Sequence, residues 1–314
     1  MSQTENDNLD SSAPPIVLLT GATGYVGGRL RPLLEEQPVS LRCLARSPDK
    51  LQPQVTGSTD VVEGDVLDRT SLDRALEGVH TAYYLVHLMS ASDDFEADDR
   101  QAAKNFAEAA KNAGVKRIIY LGGLGDDDDP NLSPHLRSRH EVGEILRNSG
   151  VQTIEFRAGM VIGAGSLSFQ LMKSLTDRLP VMICPRWLTT PTQPIAIDDI
   201  LSYLLAAKDL PKGESQFYEV GSPDVMTYAD LIREYARQRK LRRTLIFVPV
   251  LTPYLSGLWL ALVTPATYEV GRHLIEGLTT PTVVEDESAM EAFPIRPVEI
   301  KEAIRQALHE ANRS

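Results

Sequence analysis

The chain has 314 residues, 42% hydrophobic and 24% charged, enough to bury a substantial core in one large domain or two modest ones. A formal net charge of -11 excludes the cationic excess from which nonspecific nucleic-acid binding draws its affinity, so no nucleic-acid partner is expected. The two cysteines, Cys43 and Cys184, lie in apolar surroundings without CxxC or Cys/His spacing, which argues against a disulfide framework or a metal site and for a reducing, cytoplasmic setting.

The opening "MSQTENDNLDSSAPP" is polar and acidic, with neither the basic start nor the apolar core of a secretory signal, and predicts a disordered tail over residues 1–14. "PPIVLLTGATGYVGGRLRPLLEE" then reads as a buried strand, a glycine turn and a helix, the start of a βαβ unit. Within it Gly21, Gly24 and Gly27 have GxxGxxG spacing. Glycines allow a tight turn and close approach of the backbone to a pyrophosphate, and the helix N-terminus offers unpaired N–H groups and partial positive charge. A turn needed only for packing is the alternative, and it is weakened by the strand before, the helix after and the further βα units in series.

The second strand is "VSLRCLARS". Where an NAD enzyme usually places Asp or Glu for the ribose 2'-hydroxyl, this chain has Arg46, nineteen positions after Gly27. A guanidinium pairs with a 2'-phosphate that a carboxylate would repel, so NADP(H) is preferred, with NAD(H) as the alternative; a plain surface arginine is the other reading. "TDVVEGDVLD" predicts a third strand, "SLDRALEGV" a short helix with Ser71 as its cap, and "HTAYYLVHLM" more strand, in which Tyr83 and Tyr84 alternate faces so that one is expected in the core. Residues 94–113 form a long helix ended by Gly114, and "VKRIIYLGGLG" follows as a strand. The acidic residues 126–129 read as a solvated loop, since one run of carboxylates rarely closes an oxygen cage.

"SPHLRSRHEVGEILRNSG" predicts a helix with Ser133 as N-cap, Pro134 at the first position and Gly150 as the stop. His135, Arg139, Val142 and Leu146 share one stripe, which sets two polar residues on the face a helix turns to its core. "VQTIEFRAGMVIG" is the next strand, and the alternation of strand and helix predicts an α/β fold with a Rossmann-type doubly wound parallel sheet. From about residue 166 the pattern loosens. "ESQFYEVG" suggests one more strand, with helices over 227–240, 266–277 and 298–311, and the expected division is a nucleotide-binding core over 15–165 and, over 166–314, final sheet elements mixed with a smaller helical substrate-side region. Residues 244–268 carry no charge up to Tyr268 and follow the basic residues Arg237, Arg239, Lys240, Arg242 and Arg243. Pro249, Pro253 and Pro265 interrupt that segment too often for a span, which leaves a buried helix or pocket wall, or peripheral membrane contact through 237–268.

"TGATGYVGGRL", "GDVLD", "AAKNAGVKRIIYLGGLG", "FRAGMVIGAGS" and "PIAIDDI" together resemble the atypical and extended short-chain dehydrogenase/reductase superfamily, especially its NmrA-like and YbjT-like NAD(P)-binding proteins. The likeness runs over roughly residues 15–310, and its motifs are shared by dehydrogenases, epimerases and non-catalytic sensors. The resemblance implies that Thr23, Tyr25 and Val26 join the glycines at the pyrophosphate, that Asp65 and Val66 flank the adenine, and that Leu85 and Val86 line the cofactor beyond the fourth strand.

Typical members carry a Ser at the end of the fifth strand and Tyr-xxx-Lys on the next helix, the Tyr exchanging the proton while hydride moves. Here Gly122 and Gly123 stand in the Ser region, His135 at the Tyr position and Arg139 at the Lys position. His135 is therefore a candidate acid or a cap-proximal surface histidine, and Arg139 a holder of ribose or phosphate. His87, at the end of "YYLVH", is a second candidate at the edge where such folds bind ligands. Arg157 belongs either to the substrate cleft or to a structural ion pair, and Asp198 with Asp199 reads as a helix cap rather than an acid/base dyad. The expected function is NADP(H)-dependent hydride transfer to or from a small apolar carbonyl or quinone-like substrate, with residues 185–192 supplying apolar pocket surface. The alternatives are a non-catalytic NADP(H) sensor or assembly factor with a protein partner, and a membrane-surface accessory protein.

Overall fold

The computed structural model describes residues 13–88, 95–130, 132–248 and 278–313. In chain order the elements are β1 (Ile16–Thr20), α1 (Tyr25–Glu35), β2 (Ser40–Ala45), α2 (Pro48–Leu51), β3 (Asp60–Glu63), α3 (Arg69–Ala75), β4 (Val79–Tyr84), α4 (Phe95–Asn112), β5 (Arg117–Gly123), α5 (Pro134–Arg147), β6 (Gln152–Ala158) and β7 (Val161–Ile162). They continue as α6 (Leu167–Arg178), β8 (Val181–Pro185), β9 (Pro191–Thr192), β10 (Ile195–Ala196), α7 (Ile197–Ala207), β11 (Gln216–Val220), β12 (Met226–Thr227), α8 (Tyr228–Gln238), β13 (Thr244–Val248), α9 (Ser288–Ala292) and α10 (Ile300–Ala311). Seven strands form one parallel sheet in the order β11-β6-β5-β4-β1-β2-β3. The order reverses at β1 and β4, and the crevice outside the carboxyl ends of those two strands is where an open α/β sheet takes its ligand.

Each face of the sheet has its own core. Leu19, Leu30, Cys43, Tyr83, Phe156 and Leu204 lie together on the α1 and α7 side, while Leu18, Ala103, Phe106, Ile118, Val142 and Leu146 lie on the α4 and α5 side. Covering both faces corrects the expectation that only one of Tyr83 and Tyr84 would be internal, because both are buried. Tyr83 Oη donates to Leu204 O at 3.0 Å, and the Tyr84 ring tilts against Phe106. A third cluster, with Phe169, Cys184, Tyr235 and Ile304, joins α6, β8, α8 and α10 beside the sheet, while β11 and α7 return to the sheet itself.

Several local expectations change. The helix after β3 is capped by Asp68, which accepts from Thr70 N, whereas Ser71 is buried inside it and bonds the Asp65 and Asp68 carbonyls. Asp198 and Asp199 sit in the first turn of α7 after the N-cap residue Ala196, and Asp199 accepts from Val298 N at 2.9 Å. The basic stretch after α8 is used within the fold: Arg237 pairs with Glu234, and Arg243 Nη2 donates to Asp177 O at 3.0 Å at the end of α6. Residues 244–248 form β13 on β8, while the rest of the uncharged segment and the helix expected over 266–277 lie outside the described residues, as does most of the expected N-terminal tail. Among the described residues no helix is long and apolar enough to cross a membrane.

Helix α5 begins as its sequence predicts, with Ser133 Oγ accepting from Leu136 N and Pro134 at the first helical position. Its inward face is polar as well as apolar. Glu155, fully buried on β6, meets Arg147 from α5 and receives a hydrogen bond from Arg157 Nε at 3.1 Å. Arg157 also donates to Asp127 Oδ2 at 2.9 Å, and His140 joins Asp127 to the Gly123 carbonyl. Arg157 therefore serves a structural ion pair, and Asp127, exposed as expected of the acidic loop, ties that loop to β6 and α5. Small residues make room for the carboxylate: a Cβ on Gly122 would come to 2.7 Å from Glu155 Oε1, and one on Gly143 to 2.5 Å. Removing one partner from a buried network leaves the others uncompensated, so Glu155→Ala is expected to lower unfolding stability by about 3–5 kcal/mol. Urea denaturation followed by circular dichroism measures this, and a loss inside the error of the extrapolation contradicts it.

Candidate active site

The nucleotide loop follows from backbone crowding. Gly21 has φ +73° and lies against the Leu85 carbonyl, so a side chain there would be strained and would also overlap that oxygen. Gly27 is pressed against Gly21 O, while Gly24 N donates to Gly21 O at 2.9 Å and caps α1 without a side chain of its own. With no acidic residue in the first turn of α1, the leading N–H groups of Tyr25, Val26 and Gly27 are placed to take an anion without a competing carboxylate beside them in that turn. Thr20 fixes this loop to the neighbouring strand, because its Oγ1 donates to Tyr83 O at 3.0 Å and accepts from Leu85 N at 3.1 Å.

The remaining cofactor candidates occupy the same sheet edge. Thr23 and Gly24 are exposed at the tip of the loop. Tyr25 contributes its backbone, for its ring is laid against Gly163 and Gly165 under the Arg29 guanidinium, and burial pushes its phenol up to about 12. Arg46 is exposed immediately after β2. Asp65 forms a turn by accepting from Leu67 N at 2.9 Å, and Val66 is buried beside it. Leu85 and Val86 leave the end of β4, half-buried, in the connection that also carries His87. The cradle fits a dinucleotide: glycine backbone under a pyrophosphate, a guanidinium and a turn at the outer strands, and apolar side chains toward the central crevice.

The structure brings all three catalytic candidates together. His87 Nε2 lies 3.0 Å from His135 Nδ1, with the ring centroids 4.9 Å apart. One turn along α5, Arg139 places its guanidinium over the Tyr120 ring at 4.9 Å, and its charge acts on His87. His135 and Arg139 are both half-buried, so the stripe read from the sequence does turn inward at this end of the helix, although Ser138 and His140 are buried more deeply.

Two further described residues join the cluster, Asp99 and Ser138. Asp99 of α4 is 2% exposed and puts Oδ2 at 2.9 Å from His87 Nδ1, in a bent contact. Its Oδ1 accepts from Leu88 N at 3.0 Å, and its Oδ2 accepts from Ser138 Oγ at 2.9 Å. Burial opposes the charge on Asp99, but the His87, Leu88 and Ser138 donors together outweigh it and hold the carboxyl below its ordinary range. Burial pulls the His87 imidazole down, Asp99 pulling the other way and Arg139 adding to the depression. Asp99 sits in "FEADDRQ", one of several acids in the first turns of a helix, a placement that suits the helix dipole and so conceals its inward course. Ser138 on α5 is equally inconspicuous. Only the burial period of α4, with Asp99 in register with Ala102, Ala103 and Phe106, separates it from its neighbours.

A family model described as NAD(P)H-binding matches residues 21–173, the stretch from the glycine loop to α6. The chain is 28% identical over 230 residues to (4-alkanoyl-5-oxo-2,5-dihydrofuran-3-yl)methyl phosphate reductase of Streptomyces griseus, covering 71% of this chain and 73% of that one. It is 23% identical over 257 residues to sanguinarine reductase of Eschscholzia californica, covering 68% of this chain and 91% of that one. Among solved structures, the triphenylmethane reductase of a Citrobacter species in complex with NADP(H) superimposes with a TM-score of 0.72 at 17% identity, over 93% of this chain and 99% of that one, a likeness of fold.

Because a methyl group at Gly27 would collide with Gly21 O, Gly27→Ala is expected to weaken NADPH binding by at least about tenfold, equivalent to 1.4 kcal/mol. Fluorescence titration of NADPH into the variant reads this, with circular dichroism to confirm the fold. Parental affinity in a folded variant contradicts the cradle.

Proposed function

We propose that this chain, whose residues 21–173 match an NAD(P)H-binding family model and whose sequence resembles the atypical short-chain dehydrogenase/reductase proteins, is an NADP(H)-dependent reductase of a small apolar carbonyl or quinone-like substrate. The observation that carries the reading is the His87 and His135 pair at 3.0 Å, set at the carboxyl edge of β4 beside the connection that follows the nucleotide loop's partner strand. A nucleotide cradle alone serves sensors as well as enzymes; a proton-exchanging pair next to it is what a reductase needs in addition. The relatives named as reductases support the same reaction class.

The cofactor supplies the hydride when bound. The chain's own residues do the rest. The N–H groups at the start of α1 hold the pyrophosphate, and Arg46, exposed at the end of β2, meets a 2'-phosphate. His135 gives a proton to the substrate oxygen as negative charge develops there, a role that an imidazole fills near neutral pH. Arg139, always charged, lies one helical turn away and stabilises that developing charge without exchanging a proton itself. The Tyr-xxx-Lys spacing is thus kept by position while its chemistry passes to a histidine and an arginine.

An NADPH-oxidation screen against quinones, aldehydes and enones, on protein shown to bind NADPH, tests the reading. Tight binding with no turnover over the whole panel favours instead a non-catalytic NADP(H) sensor acting through a protein partner. Given turnover, His135→Ala is expected to lower kcat by about 10²-fold or more, in the range of general acid catalysis. For the cofactor, Arg46→Glu is expected to raise the Kd for NADPH by at least about tenfold while changing that for NADH little, since only the former carries the 2'-phosphate. Equal losses for the two in a titration would remove Arg46 from cofactor choice.

A further inference from the structure

Asp99 is the most deeply placed charge in the cluster, 2% exposed, and two donors already hold it: Leu88 N to Oδ1 at 3.0 Å and Ser138 Oγ to Oδ2 at 2.9 Å. Those two would suffice to pin the connection after β4 to α4 and α5. The third contact is of another kind, because His87, reached at Nδ1, in turn reaches His135 Nδ1 through its own Nε2. A carboxylate can only accept, so this contact, bent though it is, favours the His87 proton on Nδ1. Its Nε2 is then an acceptor, and the His135 proton facing it must also sit on Nδ1. With Nδ1 engaged by His87, the exchangeable proton is assigned to His135 Nε2.

We propose that Asp99 is a positioning residue which, through His87, sets the tautomer of His135 and directs proton exchange to His135 Nε2. The proposal deepens the reductase reading and rests on it for the reaction served. In that reaction the carbonyl carbon gains a hydride from the reduced nicotinamide cofactor and the carbonyl oxygen takes the Nε2 proton of the His135 imidazolium. His135 is left neutral, its Nδ1 proton still shared with His87, and solvent returns a proton to Nε2 in exchange for release of the alcohol. The negative charge of Asp99 stabilises the imidazolium through the chain. Arg139 on α5 opposes it, and the phenols beneath, Tyr84 on β4 and Tyr120 on β5, are kept neutral by burial, the latter pushed up to about 12.

Asp99→Asn distinguishes this role from simple packing. The Leu88 N–H still requires an acceptor, so the amide oxygen stays there and the NH2 group turns to Ser138 and His87. It then donates to His87 Nδ1, which moves the His87 proton to Nε2 and, by the same logic, the His135 proton to its Nε2. Both tautomers invert with little change of shape. Long-range nitrogen–proton correlation spectra of the uniformly 15N-labelled chain, recorded without cofactor, read the tautomers directly. The parent is expected to show Nδ1–H on both rings, and the variant Nε2–H on both. An Nε2–H tautomer for His135 in the parent overturns the proposal even where the variant fails to fold, and so do unchanged tautomers in a folded variant.

The kinetic arm uses a substrate found in the oxidation screen. Loss of the Asp99 charge disfavours the imidazolium, so the alkaline limb of the kcat profile is expected to move to lower pH by about one unit. At neutral pH kcat is expected to fall by about tenfold or more, with the NADPH Kd unchanged. Ser138→Ala, which keeps the carboxylate beside His87, is expected to retain the parental tautomers. A parental pH profile and kcat in Asp99→Asn overturn the positioning role. Absence of turnover in the parent, with the tautomers inverted in Asp99→Asn, overturns the reductase reading alone and supports the control of the pair by Asp99.

Discussion

The carboxylate of Glu155 can lie wholly inside the sheet only because two guanidinium groups meet it there, and this requirement places helix α5. Arg147 comes from the last turn of α5 and Arg157 from the same strand as Glu155, while Gly122 and Gly143 remove the side chains that would otherwise hold strand and helix apart. An uncompensated buried charge is costly enough that α5 cannot slide along the sheet without breaking the set. The position of His135, Ser138 and Arg139, about two to three turns toward the other end of the same helix, is inherited from that anchor. The Asp127 contacts to Arg157 and His140 extend it to the loop that enters α5.

A second constraint acts from the nucleotide side. Gly21 approaches Leu85 O more closely than any side chain allows, and Thr20 bonds both the last residue but one of β4 and the first residue beyond it. The chain leaving β4 is therefore fixed by the same glycine turn that receives the pyrophosphate, and His87 follows two residues after Leu85. Cofactor loop and histidine pair are coupled through three residues of backbone. The neighbouring contacts of α4 on α5, among them Arg100 with Glu141 and Arg137 with Glu96, then bring Asp99 up to the pair from the other side.

What was legible in the sequence and what was not divides along the distance between interacting residues. The glycine turn, the parallel sheet and both ends of α5 were readable, the last because Ser133, Pro134 and Gly150 act within a few residues of themselves. The inward placement of His135 and Arg139 was readable from helical period, and the approach of His87 from its place at a strand's carboxyl end. Asp99 was not, since its meaning comes from Leu88, His87 and Ser138, 11, 12 and 39 positions away, and nothing local marks it off from Glu96 or Asp98. Tyr83 and Tyr84 misled for a related reason: alternation reports a half-covered strand, and β4 lies in the middle of a sheet covered on both faces. Ser71 likewise has the chemistry of a cap, but Asp68 reaches the helix start first.

On the proposed reading, charge balance governs how a histidine and an arginine would serve where similar proteins carry tyrosine and lysine. A tyrosine acid must be brought down from an ordinary pKa near 10, which the adjoining lysine cation does by favouring the phenolate. An imidazole already titrates near neutral pH, and a cation beside it lowers its affinity for the proton. The Arg139 charge therefore adds to the lowering of the His87 imidazole. A compensating anion is needed once histidine takes the tyrosine's place, and it must be near the pair yet away from the negatively charged cofactor. Asp99 meets both conditions: it is buried between α4 and α5, touches His87 and not the nucleotide loop, and carries enough donors to stay ionised where burial alone would neutralise it. On that reading the buried carboxylate offsets the Arg139 cation at His87, just as Gly122 on β5 makes room for the carboxylate of Glu155.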